Sequence, residues 1–513
     1  MQSLLLLYPP VAKNCEPPAG IARLAGFLRG NGITCSTHDL NRQALDYLLG
    51  LDCHKTDTWS RRAKKNLWAN ITSLQERTIY TNLSKYKRAV ADVNRVLAGV
   101  GEPFEAEITL ANYQDNTSPV KSKALLESAR AYEENIFYPL YERVVTRALE
   151  ESKADVVGIS LAYLSQAVPA FALIGFLRAR FPGCKIILGG GLVTSWLRSP
   201  LWKNPFSGLV DAHIAGPGEI PLFKLLSGKR DETHHHPPQY DWRKYLSPGF
   251  ILPYAASSGC YWNKCLFCPE TAEGNPYLQI APEQVSQDLK ILCKQYHPLL
   301  IHFLDNAVSP ALMNELVINP PGVPWYGFAR ASQQLADVDF CKKLYTSGCI
   351  MLKLGLESGD QNVLDAMQKG IELSMVSQVL SSLQSAGIMS YVYLLFGTPS
   401  EDEVSARKTM EFTVRHHDAI GFLNLAIFNL PQAGPEANRL VVKDFYGGDL
   451  SLYSDFVHPK GWSRQKIRFF LSKEFKRHPL IAPIVQRDPP VFTSNHAALF
   501  HPTYFINSLQ NGR

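Results

Sequence analysis

Three cysteines stand within nine positions of the stretch "SSGCYWNKCLFCPE": Cys260, Cys265 and Cys268. Thiolates so grouped are soft ligands for iron or zinc. An odd number cannot pair off in disulfides, and a structural zinc takes four ligands. The first histidine downstream is His297, so a zinc site would need a distant donor to complete it. Three thiolates on one short loop suit a cubane [4Fe–4S] cluster with one iron left free of protein. That open iron can bind a substrate or cofactor directly. Zinc closed by a remote ligand is the alternative.

Such a loop needs a rigid frame, and the flanking sequence supplies one. "ILPYAAS" precedes the cysteines; "LLIHFLD", "WYGFAR", "IMLKLGLE", "SYVYLLFG" and "IGFLNLAIF" follow, separated by helical stretches. Six βα units predict a (β/α)6 partial TIM barrel over about 245–440, with its functional loops at the carboxyl ends of the strands. Upstream, the apolar run Ser3–Tyr8, the helix "IARLAGFLRGNG" and the strand "ITCSTHDLN" begin a βαβ pattern. It resumes with "ADVVGIS", "CKIILGGG" and "GLVDAHIAGPGE". The fold class predicted for residues 1–235 is α/β, a doubly wound, Rossmann-like parallel sheet. A charged, helical insertion interrupts it at about 41–152. The basic run Arg61–Lys65 there reads as a solvated helix face. Lys229–Gln239, with His234, His235 and His236, reads as a solvated linker rather than a metal site. Residues 441–513 form a small accessory segment. Its helix "SRQKIRFFLSKEFKRH" is expected to dock Ile467, Phe470, Leu471 and Phe475 and leave its basic face in water. His496 and His501 read as core histidines, Cys341 and Cys349 as buried thiols.

The bulk properties, 46% hydrophobic and 19% charged residues, read as a well-buried globular chain. Its 513 residues predict two or three domains. A net charge of +6, from 52 basic and 46 acidic residues, is no argument for a nucleic-acid partner. No apolar run approaches the roughly 20 residues of a membrane helix. The leucines of "MQSLLLLYPP" stop at Pro9–Pro10, as a buried strand would, and no basic region precedes them as in a signal peptide. Ten scattered cysteines are no disulfide framework, so a reducing cytoplasm is the expected compartment.

With these motifs in place, the second half resembles the radical S-adenosylmethionine (SAM) superfamily. The commonest spacing there is C-x3-C-x2-C; this chain has C-x4-C-x2-C, with the expected aromatic, Phe267, before the last cysteine. The resemblance implies that Cys260, Cys265 and Cys268 ligate the cluster. It also implies SAM contacts at the ends of successive strands: Asp305 and Asn306 in "FLDN", Arg330 and Ser332 in "FARAS", Glu357 and Ser358 in "LGLESG", and Gly397 in "LFGTPSE". Lys369 falls one helix beyond Glu357. The first half is similar to the cobalamin-binding (B12-binding) domain of one large radical SAM class. Pro9, Pro10, Ser160, Gly189, Gly190, Gly191, Gly216, Gly218 and Glu219 are the positions carried over. The D-x-H-x-x-G signature that supplies a histidine to cobalt is absent, since His38 precedes Asp39.

The resemblance implies reductive cleavage of SAM to a 5′-deoxyadenosyl radical and, with cobalamin, methylation of an unactivated carbon. A cobalamin-associated cyclase, rearrangement or oxidation enzyme would keep the same motifs. A metal-stabilised cobalamin-sensing protein is the non-enzymatic alternative. Implied partners are a small-molecule, lipid or peptide substrate and an electron donor such as ferredoxin or flavodoxin.

Overall fold

The computed structural model describes residues 3–228, 233–241, 244–444 and 447–502. The start of the Lys229–Gln239 linker and the last residues of the accessory segment lie outside them. The chain is α/β with parallel sheets and divides into two compact units. One unit runs to Phe250 and takes back the short segment ending at Leu452. The other begins at Ile251 and includes the chain from Tyr453 onward.

The first unit is built on five strands: β1 Leu4–Tyr8, β2 Cys35–Asp39, β3 Val156–Ser160, β4 Lys185–Gly189 and β5 Ala212–His213. All neighbours run parallel, in the order β2-β1-β3-β4-β5. The four leucines of β1 are all buried. Alternate side chains point to opposite faces, so an unbroken apolar run marks an interior strand covered on both sides. Leu4 and Leu6 join one core with Ile21, Ala25 and Leu28 of the helix Ala19–Gly30 and with Leu222 and Phe223 of the helix Glu219–Ser227. The insertion forms five α-helices, Leu40–Leu49, Thr58–Leu74, Leu83–Gly101, Ser122–Arg130 and Tyr138–Ser152, plus a short antiparallel pair. On Thr58–Leu74 only Ala63 of the basic run is buried; Arg61, Arg62, Lys64 and Lys65 face solvent.

The histidine linker is less free than its composition suggests. Residues 233–241 hold no helix or strand, yet His234 and Asn31 exchange two hydrogen bonds of 2.9 and 3.0 Å. The Gln239 amide donates to Ala22 O at 2.9 Å. These bonds strap the segment along the helix Ala19–Gly30. Composition reports polarity and cannot report such long-range pairing.

The second unit has six parallel strands in sequential order: β6 Ile251–Tyr254, β7 Leu300–Phe303, β8 Trp325–Ala329, β9 Cys349–Glu357, β10 Met389–Phe396 and β11 Phe422–Ile427. The helix Arg464–Lys473 of the accessory segment buries Ile467, Phe470 and Leu471 and exposes Lys466, Arg468 and Lys473. Phe470 and Phe475 lie 6.2 and 5.4 Å from the Phe396 ring. His501 Nε2 donates to Gly387 O at 2.9 Å, and Cys341 and Cys349 are fully buried.

Candidate functional site

The cysteine loop leaves the carboxyl end of β6. Ser257–Ser258 pairs antiparallel with Leu278–Gln279, so the residues between form a closed excursion. Asp305, just beyond β7, secures its base. Ser257 Oγ donates to Asp305 Oδ1 at 2.5 Å, and the Ala256 amide donates to Oδ2 at 3.1 Å. Burial pushes the Asp305 carboxyl pKa up, and these donors oppose that shift. Asn306 beside it is exposed.

Cys265 is buried; Cys260 and Cys268 are half-buried. Burial raises the Cys265 pKa, while the Lys369 and Arg330 charges pull it down. Burial pushes the Cys268 thiol up to about 11. Among the described residues, no three His, Cys, Asp or Glu side chains converge as around a single ion. A cubane offers a separate iron to each thiolate and does not require that convergence. Three soft sulfurs on one loop, with two cations beside the middle one, are a donor set that fits such a cluster.

Arg330 follows β8. Its Nη1 donates toward Cys265 Sγ at 3.9 Å and its Nη2 to Lys369 O at 2.5 Å. Glu357 ends β9 with a φ of 68°, where pairing with β10 is irregular between Gly355 and Glu357. A left-handed glutamate costs on the order of 1 kcal/mol or more and persists where the surroundings hold it. Here Lys369 Nζ donates to Glu357 Oε1 at 2.8 Å, with both side chains nearly buried, and lies 5.4 Å from the centre of the Phe267 ring. Cys265, Phe267, Arg330 and Glu357 are therefore gathered around Lys369.

Other predicted SAM positions are engaged elsewhere. Ser358 is fully buried and shares a 3.2 Å hydrogen bond with Thr409 Oγ1. Ser332 caps the short helix Gln333–Ala336, accepting from the Leu335 amide. Gly397 donates its amide to Glu401 Oε2, which also accepts from Trp462 Nε1 at 3.1 Å. Burial raises the Glu401 carboxyl to about 8.

In the first unit the chain passes from β1 to β2 on one side, then to β3 on the other. The crevice beyond the carboxyl ends of β1 and β3 is the switch point where open α/β sheets bind ligands. Pro9 and Pro10 follow β1 and are buried; Ser160 ends β3 in register with Gly189 of β4. Gln166 Nε2 donates to Pro9 O at 2.6 Å, and Ser165 Oγ to Val11 O at 2.8 Å, tying the two loops together. Gly190 has a φ of 105°, and a Cβ there would stand 2.4 Å from Leu161 O. Gly191 opens the helix Gly191–Arg198. The Gly216 amide donates to Thr194 Oγ1 at 2.9 Å, and nothing lies within 4 Å of where its Cβ would be. Gly218 precedes Glu219, whose carboxylate is paired with Arg23. Turns of bare backbone, with open space at Gly216, fit a flat ligand such as a corrin. Asp39 caps the helix Leu40–Leu49 through the Arg42 amide and accepts from Tyr245 Oη.

The sequence reading passed over three groups. Trp262 stacks on Arg330, with the guanidinium carbon 4.3 Å from the ring centre. Trp462 braces the Gly397 turn through Glu401, a residue that the motif "LFGTPSE" already includes. Lys353 and His302 approach to 2.9 Å, both buried, with His302 stacked on Tyr326 at 4.4 Å. A lysine inside the apolar run "IMLKLGLE" is the signal that could have found the last.

No protein-family model matches the chain. It is 21% identical over 308 residues to an uncharacterised methyltransferase of Pyrococcus horikoshii, and 24% identical over 286 residues to the hopanoid C-3 methylase of Methylococcus capsulatus. These alignments cover 52% and 48% of this chain and span only 66% and 54% of those relatives' own lengths. Among solved structures it is similar to TsrM of Kitasatospora setae, a radical S-adenosylmethionine methyltransferase determined with cobalamin and a [4Fe–4S] cluster bound. That likeness has a TM-score of 0.54 at 14% identity and covers 86% of this chain and 78% of the other. The chain thus shares its α/β fold with a radical SAM methyltransferase, and its sequence relatives carry the names of methyltransferases.

Proposed function

We propose that this chain is a cobalamin-dependent radical SAM methyltransferase acting on an unactivated carbon. In this reading residues 1–235 form a Rossmann-like cobalamin-binding domain, residues 245–440 a partial barrel, and residues 441–513 an accessory segment. The observation that carries it is the loop of Cys260, Cys265 and Cys268 at the carboxyl end of the first strand of a sequentially ordered parallel sheet. Asp305, Arg330 and Glu357 stand at or just beyond the ends of the following strands.

When bound, a cluster with an open iron supplies the electron that cleaves the SAM sulfonium, and cobalamin supplies a methyl carrier. The chain's own groups hold and orient. Asp305 fixes the base of the cysteine loop through Ser257 and Ala256. Arg330 and Lys369 place positive charge beside Cys265, where a thiolate-bound cluster carries negative charge. Glu357, held by Lys369, offers a carboxylate to a SAM amino group or ribose hydroxyl. The glycine turns at 189–191 and 216–218, together with Pro9, Pro10 and Ser160, give a corrin a backbone floor. A small-molecule, lipid or peptide substrate, an electron donor such as ferredoxin or flavodoxin, and a cytoplasmic setting complete the reading.

The test is anaerobic reconstitution with iron, sulfide and cobalamin, followed by reduction in the presence of SAM. Formation of 5′-deoxyadenosine supports radical chemistry, and a product heavier by one methylene unit supports methylation. SAM left intact by the reduced, cluster-loaded protein would sink the proposal.

A further inference from the structure

Four residues separate the first two cysteines here, one more than the commonest family spacing. The extra length has a structural use. Asn263 takes a φ of 44°, a left-handed conformation that asparagine tolerates better than most residues. Beside it, Trp262 is laid against the segment that follows Met367. Its Nε1 donates to Gln368 O at 3.2 Å. A Cβ at Gly370 would stand 2.0 Å from the indole, so only glycine lets the ring close on that backbone. The Leu266 amide donates to Met367 O at 3.1 Å and ties the same loop to the same segment.

Arg330 is held within this assembly. Its guanidinium lies 4.3 Å over the Trp262 ring, its Nη2 is bonded to Lys369 O, and its Nη1 reaches Cys265 Sγ at 3.9 Å. A planar guanidinium suits both tasks, since it stacks on an aromatic face while its N–H fork points outward.

We propose that the lengthened loop is a clamp: Trp262 holds Arg330 against the Cys265 sulfur, and Arg330 there raises the reduction potential of a cluster carried on that sulfur. The inference rests on reading the three cysteines as cluster ligands. The physical cause is charge. One-electron reduction by an external donor adds a negative charge to the cluster, and a nearby cation and N–H donor favour that state. Trp262 acts through Arg330 and is a positioning residue.

The experiment is a redox titration of the reconstituted full chain without SAM, followed by electron paramagnetic resonance, with iron and sulfide measured in each sample. Trp262→Ala should shift the midpoint to a more negative potential at unchanged iron and sulfide, while Trp262→Phe, which keeps a ring, stays near wild type. Arg330→Gln should shift it at least as far as Trp262→Ala, and the double variant no further than Arg330→Gln alone. Trp262→Ala with a full cluster at the wild-type potential would overturn the clamp. So would loss of iron from Trp262→Ala alone, which would make the ring a folding determinant of the loop. Failure of the wild-type chain to take up iron would instead contradict the proposed function.

Discussion

The strand ends of the two units are built from opposite materials. In the first unit the candidate surface is largely backbone: glycine turns after β4 and β5, two buried prolines after β1, and the Ser160 hydroxyl. In the second it is side chains: three thiols, the Arg330 guanidinium, and the Glu357–Lys369 ion pair. A surface of backbone is changed by adding atoms. A surface of functional groups is changed by taking them away. The two regions should therefore answer mutation in opposite senses.

The largest expected effect is in the second unit. Cys265→Ala should reduce iron and sulfide to background and abolish SAM cleavage, while corrin uptake, read from the absorption spectrum, stays at the wild-type level. Parallel loss of corrin would break the separation between the two surfaces. Next comes the pair beneath the loop. Removing one partner of a buried ion pair leaves a stranded charge and costs about 3–5 kcal/mol. Lys369→Met should lower unfolding stability by about that much in urea, and adding Glu357→Gln should restore most of it. An additive double variant would show that the two charges are not coupled.

In the first unit, Gly190→Ala adds one methyl group where φ is 105° and Leu161 O stands 2.4 Å away. The expected cost is about 1–3 kcal/mol of backbone strain, with weakened corrin uptake and unchanged iron content. An alanine variant that binds corrin normally would remove the backbone-floor argument.

The smallest effect is a pH slope from Glu401. Its carboxyl is buried and raised to about 8, with Oε2 accepting from Gly397 and Trp462. The folded chain then holds a proton that the unfolded chain has released. Stability contributed by this group is present at acid pH, declines as pH rises from the ordinary carboxylate range, and is lost above about 8. Glu401→Gln should flatten that slope in thermal melts across the window. An unchanged slope would assign it to other groups.

The same contrast explains what could be read in advance. Parallel strands buried on both faces appear as apolar runs, so β1 and β6 to β10 were legible, as was the helical character of the insertion. Cysteine spacing is local and was equally plain. Glycine turns could be located, though not their use, since Gly190 is closed against Leu161 while Gly216 faces open space. The contacts that tune the second site were not legible. Trp262 meets Gly370 across more than a hundred residues, and Trp462 reaches Glu401 from the accessory segment; neither leaves a local period. Ser358, read as a SAM contact, spends its hydroxyl on Thr409, and Glu219 spends its carboxylate on Arg23. A motif position fixes where a side chain starts, and packing decides where it ends.

The most direct test of the account is the metal content and absorption spectrum of protein isolated without oxygen. About four irons and matching sulfide per chain, bleached on reduction, are the predicted result. Stoichiometric zinc on Cys260, Cys265 and Cys268, with no iron chromophore, would contradict it.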